Sequence, residues 1–183
     1  LINLYVFFLF KNINIPWNIN MIDTGLDTPT GGRCKIISES IGDETSFLTY
    51  GDGLADINID QLLKFHKKNQ KLITVSAVHP SARFGELDLD GDRVLAFKEK
   101  PQLQRGWING GFFVVEPGFF NYIDNPNVML EREPIEKATL DSQLYAYKHE
   151  GFWQCMDTRR DHELLEKLWN DNKAPWKPSS IVK

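Results

Sequence analysis

Strand-like and helix-like segments alternate along this 183-residue sequence from Phe47 onward, and this alternation constrains the fold more than any other feature. Apolar runs at residues 47–50, 72–78 and 112–115 have the length and composition of buried strands. Segments with helical spacing lie between and after them, for example residues 59–68 and 158–170. The alternation predicts an α/β fold with a mixed, mostly parallel sheet flanked by helices.

Turn and capping signals refine this outline. The sequence Asp90-Gly91-Asp92 lies between two alternating segments and predicts a hairpin over residues 86–98. We expect a helix to begin near Lys35, after a glycine-rich turn, and a last helix to begin after Thr158, with Asp161 completing a capping box.

Composition narrows the class of protein. The chain is 42% hydrophobic with a net charge of −4, so it can build one core, and it lacks the basic excess typical of nucleic-acid binders. Its two cysteines are too few for a disulfide framework, which favours a reducing, cytoplasmic setting. The apolar start at residues 1–10 is too short to span a membrane, so no membrane partner is expected.

The sequence TYGDG at residues 49–53 is the first candidate for chemistry. A strand ends there in Asp52, between Gly51 and Gly53, and glycines let a backbone approach a phosphate or sugar closely. A carboxylate at a strand end suits Mg²⁺, which takes oxygen ligands from carboxylates and substrate phosphates. An ordinary Asp-Gly turn explains the same residues equally well.

Other candidates are individually ambiguous. Asp157 ends a second apolar segment before a helix, where it either binds metal or favours the helix N-terminus. Glu99 and Lys100 form a sugar- and phosphate-binding pair or a solvated edge. The glycine pair after Asn109 permits a ligand contact or a plain bulge. Thr28 and the segment up to Arg33 suit phosphate binding or a flexible turn.

The ordered set of motifs is more specific than any member. It resembles the glucose-1-phosphate cytidylyltransferase family of sugar-1-phosphate nucleotidyltransferases over residues 16–177. The strings that carry the resemblance are PWN (16–18), DTG (23–25), TGGR (30–33), TYGDG (49–53), RFG (83–85), EKP (99–101), NGGFF (109–113), GFWQ (151–154), MDT (156–158) and APWK (174–177).

This resemblance implies a Rossmann-like nucleotidyltransferase fold. It also implies an enzyme that joins CTP and α-D-glucose 1-phosphate, with Mg²⁺, to give CDP-glucose and pyrophosphate. By resemblance, Asp52 and Asp157 are the metal ligands. The implied substrate contacts are Thr28, Arg33, Gly51, Glu99, Lys100, Asn109, Gly110 and Gly111. No nucleophilic Ser, Cys or His is required, and no catalytic residue is assigned. The family also implies a homo-oligomer for the full-length form and a role in lipopolysaccharide O-antigen biosynthesis.

The sequence departs from the family in its first part. The glycine-rich Gly-Thr-Arg loop and the following Pro-Lys pair, which bind the nucleotide triphosphate in the family, are not present. We therefore expect a partial domain at residues 16–177, an atypical apolar segment at 1–15 and a tail at 178–183, with little or no transferase activity. The fold is thus expected to be truncated at its N-terminus.

Three alternatives remain open from the sequence. One is a thymidylyl- or uridylyltransferase acting on the same sugar phosphate. Another is a non-catalytic remnant that binds sugar phosphate or a partner subunit. The third is a metal-dependent glycosyltransferase, since Asp52 and Asp56 loosely resemble an acidic donor-binding motif.

Overall fold

A computed structural model describes residues 19–80, 86–98 and 106–177 of the protein. The described part contains eight strands, four α-helices and one 3₁₀ helix. In chain order these are α1 (Thr30–Ile41), β1 (Ser46–Thr49), β2 (Gly53–Ala55), α2 (Ile59–Asn69), β3 (Ile73–Val78), β4 (Glu86–Asp90), β5 (Arg93–Lys98), β6 (Ile108–Val115), the 3₁₀ helix (Pro117–Tyr122), α3 (Glu133–Leu140), β7 (Leu144–Lys148), β8 (Trp153–Cys155) and α4 (Arg159–Asn170).

The main sheet has four strands in the order β1-β6-β3-β7. Strands β3 and β7 are parallel, and β6 runs antiparallel to both of its neighbours, β1 and β3. Three of the four strands therefore point the same way, and β6 alone is reversed within the described sheet. The predicted mixed α/β architecture is confirmed.

Two small ribbons accompany this sheet. Strands β4 and β5 form the predicted antiparallel hairpin, with Gly91 at φ 56° in its turn. Strands β2 and β8 also pair antiparallel, with Gly53 opposite Cys155 and Ala55 opposite Trp153. The β2–β8 pair joins segments about a hundred residues apart, so no local turn signal could have indicated it.

Helices cover the sheet because their apolar residues face it. In α2, the Asn58 side chain accepts a hydrogen bond from the Gln61 N–H and caps the first turn, while Leu62 and His66 are buried. Two core clusters result, one built around Ile73 and Phe113 and the other around Leu62. At the last helix, the predicted capping box between Thr158 and Asp161 is present.

The start of α1 differs from the sequence expectation. The helix begins at Thr30 rather than near Lys35, so Gly31 and Gly32 lie in its first turn and are buried. The turn packs against the loop before α3: a Cβ on Gly31 would lie 2.6 Å from the Val128 carbonyl oxygen, and one on Gly32 would collide with that of Pro126. Tertiary packing therefore overrides the weak helix propensity of glycine.

Within the described ranges, the helices reach 12 residues at most, and none combines the length and apolar character that a bilayer-spanning helix needs. Residues 1–18 and 178–183 lie outside the described ranges, so the segments predicted at 1–15 and 178–183 stay predictions.

Candidate functional site

The β2–β8 ribbon brings together the two carboxylates that the sequence analysis selected. Asp52 immediately precedes β2, and Asp157 is the second residue after β8. The strands are antiparallel, so the beginning of β2 lies beside the end of β8, and the Met156 N–H donates to the Asp52 carbonyl oxygen at 2.8 Å. Both carboxylates are exposed at this end of the ribbon, which we call the ribbon end and define as Gly51, Asp52, Cys155 and Asp157.

The ribbon end is open around its glycine. A Cβ on Gly51 would meet no described heavy atom within 4 Å beyond its chain neighbours, so there is room for a ligand against the backbone. On the opposite strand, the Cys155 thiol donates to Asp157 Oδ2 at 3.3 Å. Partial burial and this contact raise the pKa of the Cys155 thiol, so it is a poor nucleophile.

The ribbon end offers two exposed carboxylates as possible metal ligands. In residues 19–80, 86–98 and 106–177, no group of three or more His, Cys, Asp or Glu side chains could hold a metal ion. Two exposed carboxylates leave the remaining ligand positions to water and substrate phosphates, which is the usual way that proteins bind Mg²⁺. Asp52 and Asp157 are therefore the residues that could hold it.

Tyr50 connects the ribbon end to β6. Its backbone N–H donates to the Gly111 carbonyl oxygen at 3.0 Å, and its ring packs edge-on against Phe113 with centroids 5.7 Å apart. Its hydroxyl oxygen accepts a hydrogen bond from Asn109 Nδ2 at 3.1 Å. The strand that delivers Asp52 is thus tied to the strand that carries Asn109.

The two glycines after Asn109 are explained by packing. The β3–β6 register shifts between Val75 and Ala77, which places Gly110 and Gly111 in a bulge. Gly111 has φ 78°, and a Cβ there would lie 2.7 Å from the Tyr50 ring. A Cβ on Gly110 would lie 2.7 Å from the Val78 side chain. The bulge interpretation is confirmed, and Asn109 itself is exposed.

Thr28 lies in the loop before α1, and Arg33, in the first turn of α1, contacts that loop. The Arg33 guanidinium donates to Thr24 Oγ1 at 2.6 Å and to the Leu26 carbonyl oxygen at 2.9 Å. The Thr28 hydroxyl donates to the Thr24 carbonyl oxygen. These contacts fix the loop rather than leaving it a flexible turn. A guanidinium has five N–H donors, so Arg33 can also bind an anion.

Glu131 was not indicated by the sequence, yet its carboxylate links Tyr50, beside the ribbon end, to Thr30, at the start of α1. Tyr50 OH donates to its Oε1 at 2.6 Å, and Thr30 Oγ1 donates to its Oε2 at 2.8 Å. Burial, together with the hydrogen bond to Glu131, raises the pKa of the Tyr50 phenol well above its usual range. Since these partners lie 81 and 101 residues away along the chain, no spacing rule could have found the link.

Three of the four histidines meet carboxylates that are distant in sequence. His66 contacts Glu116 at 2.9 Å, and a longer contact of 3.3 Å joins His79 to Glu150. The third pair places His149 Nε2 2.9 Å from Asp56 Oδ1. Asp56 follows β2 while Asp52 precedes it, so the two carboxylates of the acidic motif lie at opposite ends of this strand.

Glu99 and Lys100 lie outside the described residues, as does the RFG string at 83–85. Their predicted roles at a sugar phosphate stay predictions.

Comparisons with known proteins agree with this architecture. The profile of the Nucleotidyl transferase family matches residues 13–171. The chain is 46% identical over 163 residues to the glucose-1-phosphate cytidylyltransferase of Salmonella typhi, covering 88% of this chain and 63% of that protein. It is 40% identical over 162 residues to a probable glucose-1-phosphate cytidylyltransferase of Bacillus subtilis, with the same two coverages. The chain thus spans less than two thirds of these relatives.

Solved structures show the same fold at low identity. HddC from Yersinia pseudotuberculosis superposes with a TM-score of 0.64 at 17% identity, covering 90% of this chain and 72% of that one. A UDP-glucose pyrophosphorylase complexed with UDP-glucose gives a TM-score of 0.57 at 14% identity, covering 84% and 66%. At these identities the likeness concerns the fold alone.

Proposed function

The chain belongs to the nucleotidyl transferase family, and we propose that it carries the metal- and sugar-phosphate-binding part of a glucose-1-phosphate cytidylyltransferase. Its relatives at 46% and 40% identity bear that name, the second of them as a probable one, which supports CTP and α-D-glucose 1-phosphate as the substrates.

The observation that carries the proposal is the pairing of β2 with β8. This pairing places Asp52 and Asp157 at one end of a short ribbon, although the sequence separates them widely. Two exposed carboxylates beside an open glycine backbone form an arrangement suited to Mg²⁺ and a phosphate ester. The ion would neutralise negative charge on the phosphate oxygens during phosphoryl transfer.

The proposed reaction is an in-line displacement. A phosphate oxygen of glucose 1-phosphate forms a bond to the α-phosphorus of CTP, the bond from that phosphorus to the β-phosphate breaks, and pyrophosphate leaves with the electron pair. Such chemistry needs positioning and charge neutralisation more than a protein nucleophile. This agrees with the raised pKa of the Cys155 thiol beside the ribbon end.

Each of the remaining predicted residues is proposed to contact a particular part of the substrates. We propose that Gly51 gives the ligand close access to the backbone and that Asn109 donates to the hexose, with Gly110 and Gly111 shaping the bulge that presents it. Thr28, in the loop before α1, and Arg33, in the first turn of that helix, would contact the nucleotide, and their contacts to Thr24 and Leu26 hold the loop in shape. In the same proposal, Lys100 holds the sugar phosphate and Glu99 lies near the hexose.

We also propose that these 183 residues alone turn over substrate slowly or not at all, because they contain no Gly-Thr-Arg loop to bind the triphosphate. The test is to incubate the chain with CTP, glucose 1-phosphate and Mg²⁺ and to assay CDP-glucose and pyrophosphate. Robust synthesis of CDP-glucose would contradict this part of the proposal.

Binding tests the metal site directly. Calorimetric titration with α-D-glucose 1-phosphate should show affinity that increases with Mg²⁺. Replacing one ligand by Asp52→Asn or Asp157→Asn should weaken the Mg²⁺-dependent affinity by about tenfold, the size of one lost charged contact. Asp43→Asn, in the exposed turn after α1, is the matched control and should change nothing. Equal affinity in all four proteins, or no dependence on Mg²⁺, would refute the metal site.

The glycosyltransferase alternative gains no support from the geometry. Asp52 and Asp56 lie at opposite ends of β2, and Asp56 is paired with His149 rather than turned to the ribbon end. The alternative thymidylyl or uridylyl specificity would be revealed by faster turnover of UTP or dTTP than of CTP in a form of the protein that includes a triphosphate-binding loop.

A further inference from the structure

The carboxylate of Glu131 accepts the hydroxyl hydrogens of two residues from different parts of the fold. Tyr50, just after β1, donates to one oxygen at 2.6 Å, and Thr30, at the start of α1, donates to the other at 2.8 Å. An ionised carboxylate has no hydrogen to give, so both hydroxyl hydrogens point toward Glu131. Both hydroxyl oxygens therefore face their other partners as acceptors.

Each of these oxygens has such a partner. The Thr30 oxygen accepts the Leu130 backbone N–H at 2.9 Å, and the Tyr50 oxygen accepts Asn109 Nδ2 at 3.1 Å. The other end of the same amide, Asn109 Oδ1, accepts the Gly111 N–H at 2.8 Å. The two contacts of Asn109 distinguish its oxygen from its nitrogen, so the amide has one orientation.

An asparagine nitrogen carries two hydrogens, and Tyr50 takes one of them. Since Asn109 is exposed, its second N–H is available to an incoming ligand. We propose that Glu131 is a positioning residue: by fixing the direction of the Tyr50 hydroxyl it sets the amide orientation of Asn109, which then donates to a hydroxyl oxygen of the hexose. The identity of that ligand rests on the proposed function, whereas the orientation of the amide does not.

Replacement of Glu131 by glutamine separates shape from hydrogen-bond direction. Glutamine has nearly the same size but offers one acceptor oxygen and one donor nitrogen. If the nitrogen faces Tyr50, it donates to the Tyr50 hydroxyl oxygen. The glutamine N–H then competes with the Asn109 N–H for that oxygen. If it faces Thr30, the amide oxygen still accepts from Tyr50, and only the Thr30 hydroxyl loses the acceptor of its hydrogen. The first orientation releases Asn109 and the second does not, so Glu131→Leu, which offers no acceptor in any orientation at a similar volume, accompanies the glutamine variant.

The first readout needs no ligand. The side-chain amide of Asn109 can be assigned by NMR from its disappearance in Asn109→Asp. We expect its hydrogens to exchange with solvent about tenfold faster in Glu131→Leu, the effect of roughly one hydrogen bond, and equally fast in Glu131→Gln if the glutamine nitrogen faces Tyr50. The control is Asp141→Asn, which alters another carboxylate that accepts from a tyrosine hydroxyl, that of Tyr122 at 2.8 Å. Unchanged exchange in Glu131→Leu would overturn the proposal.

A second variant protects the test against misfolding. Tyr50→Phe removes the hydroxyl and keeps the ring that packs against Phe113, and its matched control is Tyr122→Phe. We expect Tyr50→Phe to release the Asn109 amide in the same way, with a melting temperature within a few degrees of the unchanged protein. If the amide keeps its protection without the Tyr50 hydroxyl, the chain of contacts does not orient it and the proposal fails.

The ligand readout separates this proposal from the proposed function. We expect Glu131→Leu to bind α-D-glucose 1-phosphate about tenfold more weakly than the unchanged chain, with Asp141→Asn unaffected. If the unchanged chain binds no glucose 1-phosphate, the proposed function fails, and the amide exchange still decides the positioning role. Weaker binding with an unaltered amide signal would overturn the positioning role and leave the proposed function standing.

Discussion

Two regions of this protein contain glycines from the same set of motifs, and they use them in opposite ways. At the ribbon end, a Cβ on Gly51 would meet no described atom within 4 Å beyond its chain neighbours. At the first turn of α1, which packs on residues 126–131 and is called here the helix–loop contact, a Cβ on Gly31 or Gly32 would meet backbone carbonyl oxygens. Space beside Gly51 is left open, whereas the space beside Gly31 and Gly32 is occupied by the backbone of the neighbouring loop.

The same contrast extends to the polar groups. Asp52 and Asp157 at the ribbon end are exposed, which agrees with the proposed site for an exchangeable ion. At the helix–loop contact, Thr30 and Glu131 are partly buried and hydrogen-bonded to each other. A motif residue can therefore mark either a ligand site or a packing constraint, and only the surrounding atoms distinguish the two.

The largest expected effect lies at the helix–loop contact. Gly32→Ala should destabilise the fold by about 3 kcal/mol or more, because the new methyl group collides with the Pro126 carbonyl and must displace backbone. Urea unfolding followed by circular dichroism measures this. A free energy of unfolding equal to that of the unchanged protein would remove the packing explanation for the TGGR motif.

A smaller loss is expected where Gly111 meets Tyr50. Gly111→Ala should cost about 2 kcal/mol, since φ 78° is strained for a residue with a Cβ and the methyl group would press on the Tyr50 ring. The same unfolding measurement checks it. Tyr50→Phe keeps the ring and is the control, and combining it with Gly111→Ala should leave the cost unchanged. A clear reduction of the cost in the double variant would assign it to the hydroxyl network.

The two cysteines report on the two regions by their reactivity. Burial, with a smaller contribution from Glu131, raises the pKa of the Cys34 thiol to about 11, so about one molecule in a thousand is ionised there at pH 8. Cys155 at the ribbon end is more exposed. Iodoacetamide at pH 8 should therefore modify Cys155 more than tenfold faster than Cys34, as peptide mass spectrometry would show.

The rate at which iodoacetamide labels Cys34 should also increase with pH. Because ionisation of a thiol with a raised pKa increases throughout the range below that pKa, labelling of Cys34 should still be rising between pH 8 and pH 10. A Cys34→Ser variant identifies the signal. Faster labelling of Cys34 than of Cys155 would mean that the helix–loop contact opens more readily than the ribbon end.

The smallest effect on stability is expected for Gly51. Gly51→Ala should change the free energy of unfolding by less than about 1 kcal/mol, because the methyl group has room and glycine loses the most chain entropy on folding. If the backbone there approaches a ligand, the same substitution should weaken glucose 1-phosphate binding several-fold. A stability loss as large as that of Gly32→Ala would erase the contrast between the regions.

Much of the fold could be predicted from the sequence because its strands, helices and turns depend on local patterns of residues. The strand predicted at residues 72–78 and the hairpin around Gly91 match the structure, as does the capping box of α4, since each depends on neighbouring residues alone. The start of α1 was wrong by several residues, because the contacts that stabilise its first turn come from residues 126–131.

The candidate site was predictable only as a set of residues. The sequence identified Asp52, Asp157 and Asn109, but it offered no physical reason to place the first two side by side. Glu131 was missed entirely, because an acidic residue before a proline-containing helix has many ordinary explanations.

By itself, the sequence determined the order of strands and helices, because side-chain periodicity and capping act within a few residues. It also determined which residue types are available for phosphate and metal chemistry. The tertiary structure alone decided that β2 pairs with β8, so that Asp52 and Asp157 share one end of a ribbon. It likewise decided that Gly31, Gly32, Gly110 and Gly111 serve packing while Gly51 is left open. The reason is that contacts between distant segments depend on how whole elements fit together, which no local pattern specifies.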